Sequence, residues 1–343
     1  MTSPLTGDRT ERRSRGTGTA PARTRRQNSR PLLTGRVHRG VRRQWLLALV
    51  IAAAIAGGGG AFDIGSGSAP AAAALFWAPL GASVGLAIAF IRELGRGTIT
   101  SLSSFGRNRS YSVLGAAPEL TQASLRQLAP HQRTPLGCLA FQPASSFATA
   151  FRDLQSAMGQ DMVSFIAALP GEGATTSALC AAVSAAQQGR NVIVVDCDIR
   201  HRTLTRMLGA EPERGVLDAC DAPDAWQKMV EEEEETGLHF LPATRSLNPW
   251  RSLSGSQGFA LLLGELRGAY DLVVLDCPPA LASADGPLLA SMADKTVLVA
   301  AWDRTPLSAV RQSMRILQRL QAQAGVYVNR VPPNYRFGRL RGD

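Results

Sequence analysis

Residues 162–188 read MVSFIAALPGEGATTSALCAAVSAAQQ: an apolar run of strand length, a turn with two glycines, and an alanine-rich stretch of helix length. A strand that enters a helix through such a turn aims backbone N–H groups and a helix N-terminus at one point, which is how phosphate is held. A complete loop of this kind ends in Gly-Lys-Ser/Thr, with the lysine on the terminal phosphates and the hydroxyl on magnesium. Here Gly171, Glu172 and Gly173 make the turn, Thr175 and Thr176 supply hydroxyls, and Ala174 stands in the lysine position. Alone, a Gly-Glu-Gly turn fits a plain strand-to-helix connection equally well.

The flanking sequence adds to it. Period and length mark strands at Met162–Ala168, Asn191–Asp196, Leu238–Leu241, Asp271–Asp276, Thr296–Ala301 and Val326–Asn329, with helices at about 174–188, 257–268, 284–293 and 305–323 between them. That alternation predicts an α/β fold, a doubly wound and mostly parallel sheet. NVIVVDCDIR puts Asp196 at a strand's C-terminal end with Asp198 and Arg200 just beyond, and YDLVVLDCPP does the same for Asp276. Ligands of open parallel sheets bind outside these carboxyl edges, so the turn and the three aspartates converge on one crevice. Acidic groups there suit hydrated magnesium beside phosphate. Asp196, Asp198 and Asp276 are therefore the candidate catalytic residues and, with Thr175, the candidate metal ligands. Gly171, Glu172, Gly173, Ala174, Thr175, Thr176 and Arg200 are the candidate nucleotide contacts, with ATP and magnesium as the expected ligands. The run Glu231–Glu235 reads as a solvated acidic face or loop.

The chain of 343 residues carries 37 Lys+Arg against 27 Asp+Glu, and residues 1–43 hold twelve arginines against two acids. The whole formal charge of +10 thus sits in that tail, and a uniformly basic nucleic-acid surface is ruled out. The tail lacks apolar periodicity and is expected to be disordered, an arm suited to anionic lipid. Trp45–Phe62 is uncharged but interrupted by Gly57–Gly60; Ala71–Ile91 is uncharged over 21 residues, about 31 Å of helix, enough to cross a hydrocarbon core. Arginines flank both outer ends, at 42 and 43 and at 92 and 96, so residues 44–92 read as a transmembrane hairpin with both termini cytoplasmic. A connector (93–144), a P-loop-type domain (145–335) and a basic tail (336–343) follow. Cys138, Cys180, Cys197, Cys220 and Cys277 form no Cys-x-x-Cys pair, which argues against zinc and for reduced, packed thiols. Lys228 and Lys295 are the only lysines, and neither lies near a motif.

PGEGAT, DCDIR and DCPP, in this order, resemble the three nucleotide motifs of the bacterial tyrosine kinases fused to or paired with polysaccharide co-polymerases, within the MinD/ParA-like P-loop group. IAFIRELGRGTI, SVLGAAPEL, SSFATAFRDLQSAM, GLHFLPATRSLNPW and YVNRV extend the resemblance over about residues 75–330. It implies a bacterial inner-membrane protein of exopolysaccharide biosynthesis or export, a cytoplasmic P-loop domain, ATP and magnesium as ligands, export machinery as partner and a homo-oligomer. Four departures stand out. The P-loop lysine is Ala174. The family's Glu-x-x-Arg-x-x-Arg self-association helix reads Thr149, Arg152, Gln155. The terminal tyrosine cluster shrinks to Tyr335, and only about Asp63 to Pro70 stands where an extracytoplasmic domain is expected. The expectation is weak nucleotide binding and lost kinase activity; an active autophosphorylating kinase is the first alternative and a partitioning-type ATPase the second.

Overall fold

Runs that are apolar on both faces become the interior strands of a sheet covered by helices on both sides. In the computed structural model, which describes residues 97–100, 111–159, 161–234, 236–244, 251–333 and 335, these strands are β2 (Met162–Ala167), β3 (Val192–Asp196), β5 (Leu238–Leu241), β6 (Leu272–Asp276), β7 (Lys295–Ala301) and β8 (Ala324–Val331). β1 (Ser112–Pro118) and β4 (Glu231–Glu233) form the edges. The sheet order is β1-β8-β7-β2-β6-β3-β5-β4, parallel throughout except that β4 runs antiparallel to β5. The α/β class and mostly parallel sheet agree with the sequence pattern.

Both edges differ from the sequence reading. Residues 93–144 were expected only as a connector, yet Ser112–Pro118 pairs with β8; its ladder is broken by register shifts after Val113 and Ala116, and SVLGAAP has no clean alternation to reveal it. The acidic run contributes Glu231–Glu233 as an edge strand, where repeated charge discourages further strand pairing.

Helices cover the two faces. On one side lie α1 (Gln122–Leu125), α2 (Pro135–Phe141), α3 (Ser146–Met158), α4 (Ala174–Ala186) and α5 (Thr203–Met207); α6 (Val216–Asp221), α7 (Gln257–Ala269), α8 (Asp285–Ala290) and α9 (Leu307–Arg319) pack on the other. Alternate strand residues divide between the layers: Met162 and Ile166 face α7 to α9, whereas Val163 and Phe165 face α3 and α4. Helix α4 lies between the sheet and α2 and α3; its small residues Ala178, Ala181, Ala182 and Ala185 are all fully buried. Helix α3 is capped by the Ser145 hydroxyl, which accepts from Ala148 N–H at 3.1 Å. The one arginine that α3 keeps from the family's association pattern is bonded within its own chain: Arg152 donates to the Pro143 carbonyl at 2.7 Å and to the Thr149 hydroxyl at 3.0 Å. Residues 97–99 pair antiparallel with the entry to α9, Leu307 N–H donating to the Gly97 carbonyl at 2.8 Å and Asp303 N–H to that of Ile99 at 2.9 Å.

All five cysteines are free and buried. Among the described residues no helix is long and apolar enough to cross a membrane. The two apolar runs at 45–62 and 71–91, like the tails at 1–43 and 336–343, lie outside the described residues.

Helix α3 is held to the sheet by Phe151, whose ring centroid lies 5.0 Å from Phe147 and 5.8 Å from Tyr327 of β8. Phe151→Ala is expected to lower unfolding free energy by about 3–5 kcal/mol in urea titration. A change below about 1 kcal/mol would show that α3 contributes little to the fold.

Candidate functional site

The carboxyl ends of β2, β6 and β3 adjoin: Phe165 is registered with Asp276, and Asp276 with Asp196. The turn after β2 is left-handed at Gly171 (φ 80°) and Gly173 (φ 96°), conformations that side chains with a Cβ rarely adopt. At Gly173 there is also no room, since a Cβ would stand 2.3 Å from the Asn329 amide nitrogen. Glu172 closes the turn from within. Its carboxylate accepts from Leu169 N–H at 2.9 Å and from the Thr305 hydroxyl, and its carbonyl accepts from Asn329 Nδ2 at 3.2 Å. Burial raises the Glu172 carboxyl; the Thr305 hydroxyl, the Leu169 and Ala168 amides and the charge of Arg330 oppose that rise. The turn therefore presents the N-terminus of α4, thirteen residues long, to a cavity of about 300 Å³.

Gly171, Glu172, Gly173, Ala174, Thr175 and Thr176 all line this cavity, together with Asp198 and Asp276. Two of the expected contacts do not act as their positions suggest. Glu172 contributes main chain only, because its carboxylate is spent inside the turn. Arg200 is exposed and outside the lining. The cations that do line the cavity were not apparent from the sequence. Arg206 comes from α5; Arg330, half-buried and strained at φ 59°, directly follows Asn329 at the end of β8. The carboxyl-edge rule could have drawn attention to Arg330; nothing in the local pattern marks Arg206. His201 also borders the space.

The three aspartates divide by environment. Asp196 is fully buried and outside the lining. It accepts from Thr205 N–H at 3.0 Å, the Thr205 hydroxyl at 2.7 Å and Asp198 N–H at 3.1 Å. Those bonds assign it to fixing the loop between β3 and α5 rather than to direct ligand contact. Burial pushes its carboxyl up to about 6, with the Thr205 bonds opposing. Asp198 reaches the cavity but also accepts from His201 N–H at 3.1 Å and lies 3.0 Å from His201 Nδ1. Asp276 lines the cavity with both oxygens buried and no hydrogen-bond partner among the described residues. Burial, reinforced by Asp196, raises it well above the ordinary carboxylate range, and the nearby Thr175 hydroxyl only tempers the rise. A buried carboxylate without donors is costly unless a cation joins it. Beside the Thr175 hydroxyl and a helix N-terminus, Asp276 fits a hydrated magnesium held against phosphate. Among the described residues no group of three or more His, Cys, Asp or Glu could hold a metal by itself, so phosphate oxygens and water would complete the shell.

Comparison with known proteins agrees with the fold. A family described as an AAA domain matches residues 161–329. The tyrosine-protein kinase YwqD of Bacillus subtilis is 34% identical over 160 residues, covering 46% of this chain and 65% of YwqD. The succinoglycan biosynthesis transport protein ExoP of Rhizobium meliloti is 28% identical over 203 residues, covering 56% of this chain and 26% of ExoP. The chain spans only 26–36% of the length of the longer curated relatives it matches. The kinase domain of the Escherichia coli tyrosine kinase ETK superposes with a TM-score of 0.60 at 22% identity, covering 69% of this chain and 97% of that domain, and shares the fold.

Asp196 and Asp276 both bind a proton more tightly in the fold than unfolded. Without ligand, stability is therefore highest at low pH and falls as pH rises from about 4, the ordinary carboxylate value, through about 6 for Asp196 and through the raised titration of Asp276. Asp276→Asn, which removes the unpaired charge, should flatten that fall and raise unfolding free energy at pH 7 by about 1–3 kcal/mol. A destabilised variant with an unchanged pH profile would mean that Asp276 is satisfied in the fold.

Proposed function

We propose, for a chain that belongs to the bacterial tyrosine kinase and polysaccharide co-polymerase family of P-loop proteins, an inner-membrane role in exopolysaccharide assembly or export with weak nucleotide binding and little tyrosine kinase activity. One observation carries this reading: the phosphate cradle keeps its left-handed glycines, its internal carboxylate staple and its facing Asp276, while the methyl of Ala174 stands where a lysine would meet the terminal phosphates. Phosphoryl transfer relies on positioning and electrostatic stabilisation, and losing one buried cationic contact costs several kcal/mol in the transition state, on the order of the loss of an oxyanion-hole donor. Nucleotide would then serve mainly to set the domain's contacts with the export machinery and with further copies of the chain. Membrane anchoring is supported by the apolar run 71–91 and its arginine flanks.

The acceptor side supports the same reading. Tyr327 is fully buried in β8. Tyr335 packs on Trp302, ring centroids 4.6 Å apart, and its N–H donates to the Pro332 carbonyl at 2.9 Å. Neither is displayed as a mobile acceptor. A second reading, an active kinase, is favoured by Arg206 and Arg330, which bring guanidinium charge to the cavity in place of the lysine.

Purified full-length protein incubated with ATP and magnesium should carry little phosphotyrosine by mass spectrometry. Substantial modification of Tyr335 that vanishes in Asp276→Ala and in Arg330→Met would establish the active-kinase reading instead.

A further inference from the structure

Helix α9 presents a row of exposed arginines. Arg311, Arg315 and Arg319 recur every fourth residue, so they share one side of the helix, and all three are exposed. The other exposed side chains of the helix are Ser308, Gln312 and Gln318, none of them acidic. No ion pair with a described residue involves the three arginines or the exposed Arg304 just upstream. Like charges at this spacing repel, so the row gains from an anionic surface brought to it. Beside it, between α8 and α9, runs an open groove of about 400 Å³ lined by Pro287, Leu288, Ile316 and Leu320, with Leu288 42% exposed. Basic groups bordering a shallow apolar strip match the boundary between lipid headgroups and acyl chains.

The chain itself indicates the occupant. Leu307, the first residue of α9, donates to the Gly97 carbonyl at 2.8 Å. Only residues 92–96 separate Gly97 from the end of the apolar run at Ile91, a reach of at most about 20 Å. If that run spans the bilayer, this short connection limits how far the start of α9 can lie from the membrane. We propose that the exposed arginine face of α9 docks the P-loop-type domain onto an anionic lipid surface, an inference that rests on the membrane anchoring proposed above. It is separate from the arginine-rich tail at 1–43, and it gives the domain a preferred orientation rather than a free tether.

The test uses the full chain in nanodiscs of phosphatidylcholine alone or with added phosphatidylglycerol. Gln312→Cys places one accessible thiol on the arginine face, since the native cysteines are buried. Labelling by a bulky, water-soluble maleimide should slow by about tenfold when anionic lipid is present. High salt, which shortens the screening length to about 3 Å at 1 M, should restore the rate, as should combining Arg311→Gln, Arg315→Gln and Arg319→Gln. Equal labelling in the two lipid compositions overturns the proposal. Slowing that follows protein concentration and not lipid composition overturns it in favour of contact with a second copy. A chain released from native membranes by alkaline carbonate contradicts the anchoring itself, and the docking proposal falls with it.

Discussion

The buried carboxylate of Glu172 is the constraint on which the site depends. An acidic side chain inside a turn is expensive to desolvate, and it persists here because two donors meet it, the Leu169 amide and the Thr305 hydroxyl. Those donors belong to different parts of the chain. Leu169 follows β2, whereas Thr305 precedes α9, so the same carboxylate joins the phosphate-type turn to the loop between β7 and α9. Asn329, at the end of β8, adds a third tie through the Glu172 carbonyl. The left-handed glycines are thus held by the protein itself, and the cradle has its shape before any ligand arrives.

That preorganisation leaves an electrostatic question which the charges around the cavity answer only in part. Asp276 is a buried acceptor with only the Thr175 hydroxyl nearby to temper its charge, whereas Asp196 and Asp198 already have donors within the loop after β3. Stability is lost at Asp276 in a way that a cation and a phosphate would relieve, the usual sign of a site built for a ligand. The lysine that would meet the terminal phosphates is absent, and Arg206 and Arg330 stand nearby. A guanidinium presents a planar fork where an ammonium is a compact point charge, so the substitution changes the geometry even where it preserves the charge.

Much of this was legible in the sequence because it is local. The six interior strands and four of the helices between them follow from runs of apolar residues, and each agrees with the structure to within a few residues. The cradle was legible from two glycines placed between a strand and a helix. What escaped depends on contacts between distant residues. Ser112–Pro118 becomes a strand only because β8 offers it an edge. Asp196 ends a strand like any ligand-binding aspartate, and only the return of Thr205, nine residues later, shows that its oxygens are taken. Glu172 resembles a cavity residue in sequence and is an internal staple in space. Arg330 enters the site because the sheet order brings the end of β8 toward the turn after β2, which no short motif encodes.

The central claim is that a preformed phosphate cradle survives without its point charge. Calorimetric titration of the full chain with ATP and magnesium, comparing the natural protein with Ala174→Lys, tests it most directly. The account requires binding weaker than about micromolar, or about −8 kcal/mol, for the natural chain, and a gain of about tenfold or more with the lysine restored, the worth of one charge-assisted contact. Micromolar or tighter binding that the lysine leaves unchanged would contradict it and show that backbone and arginine contacts already complete the site.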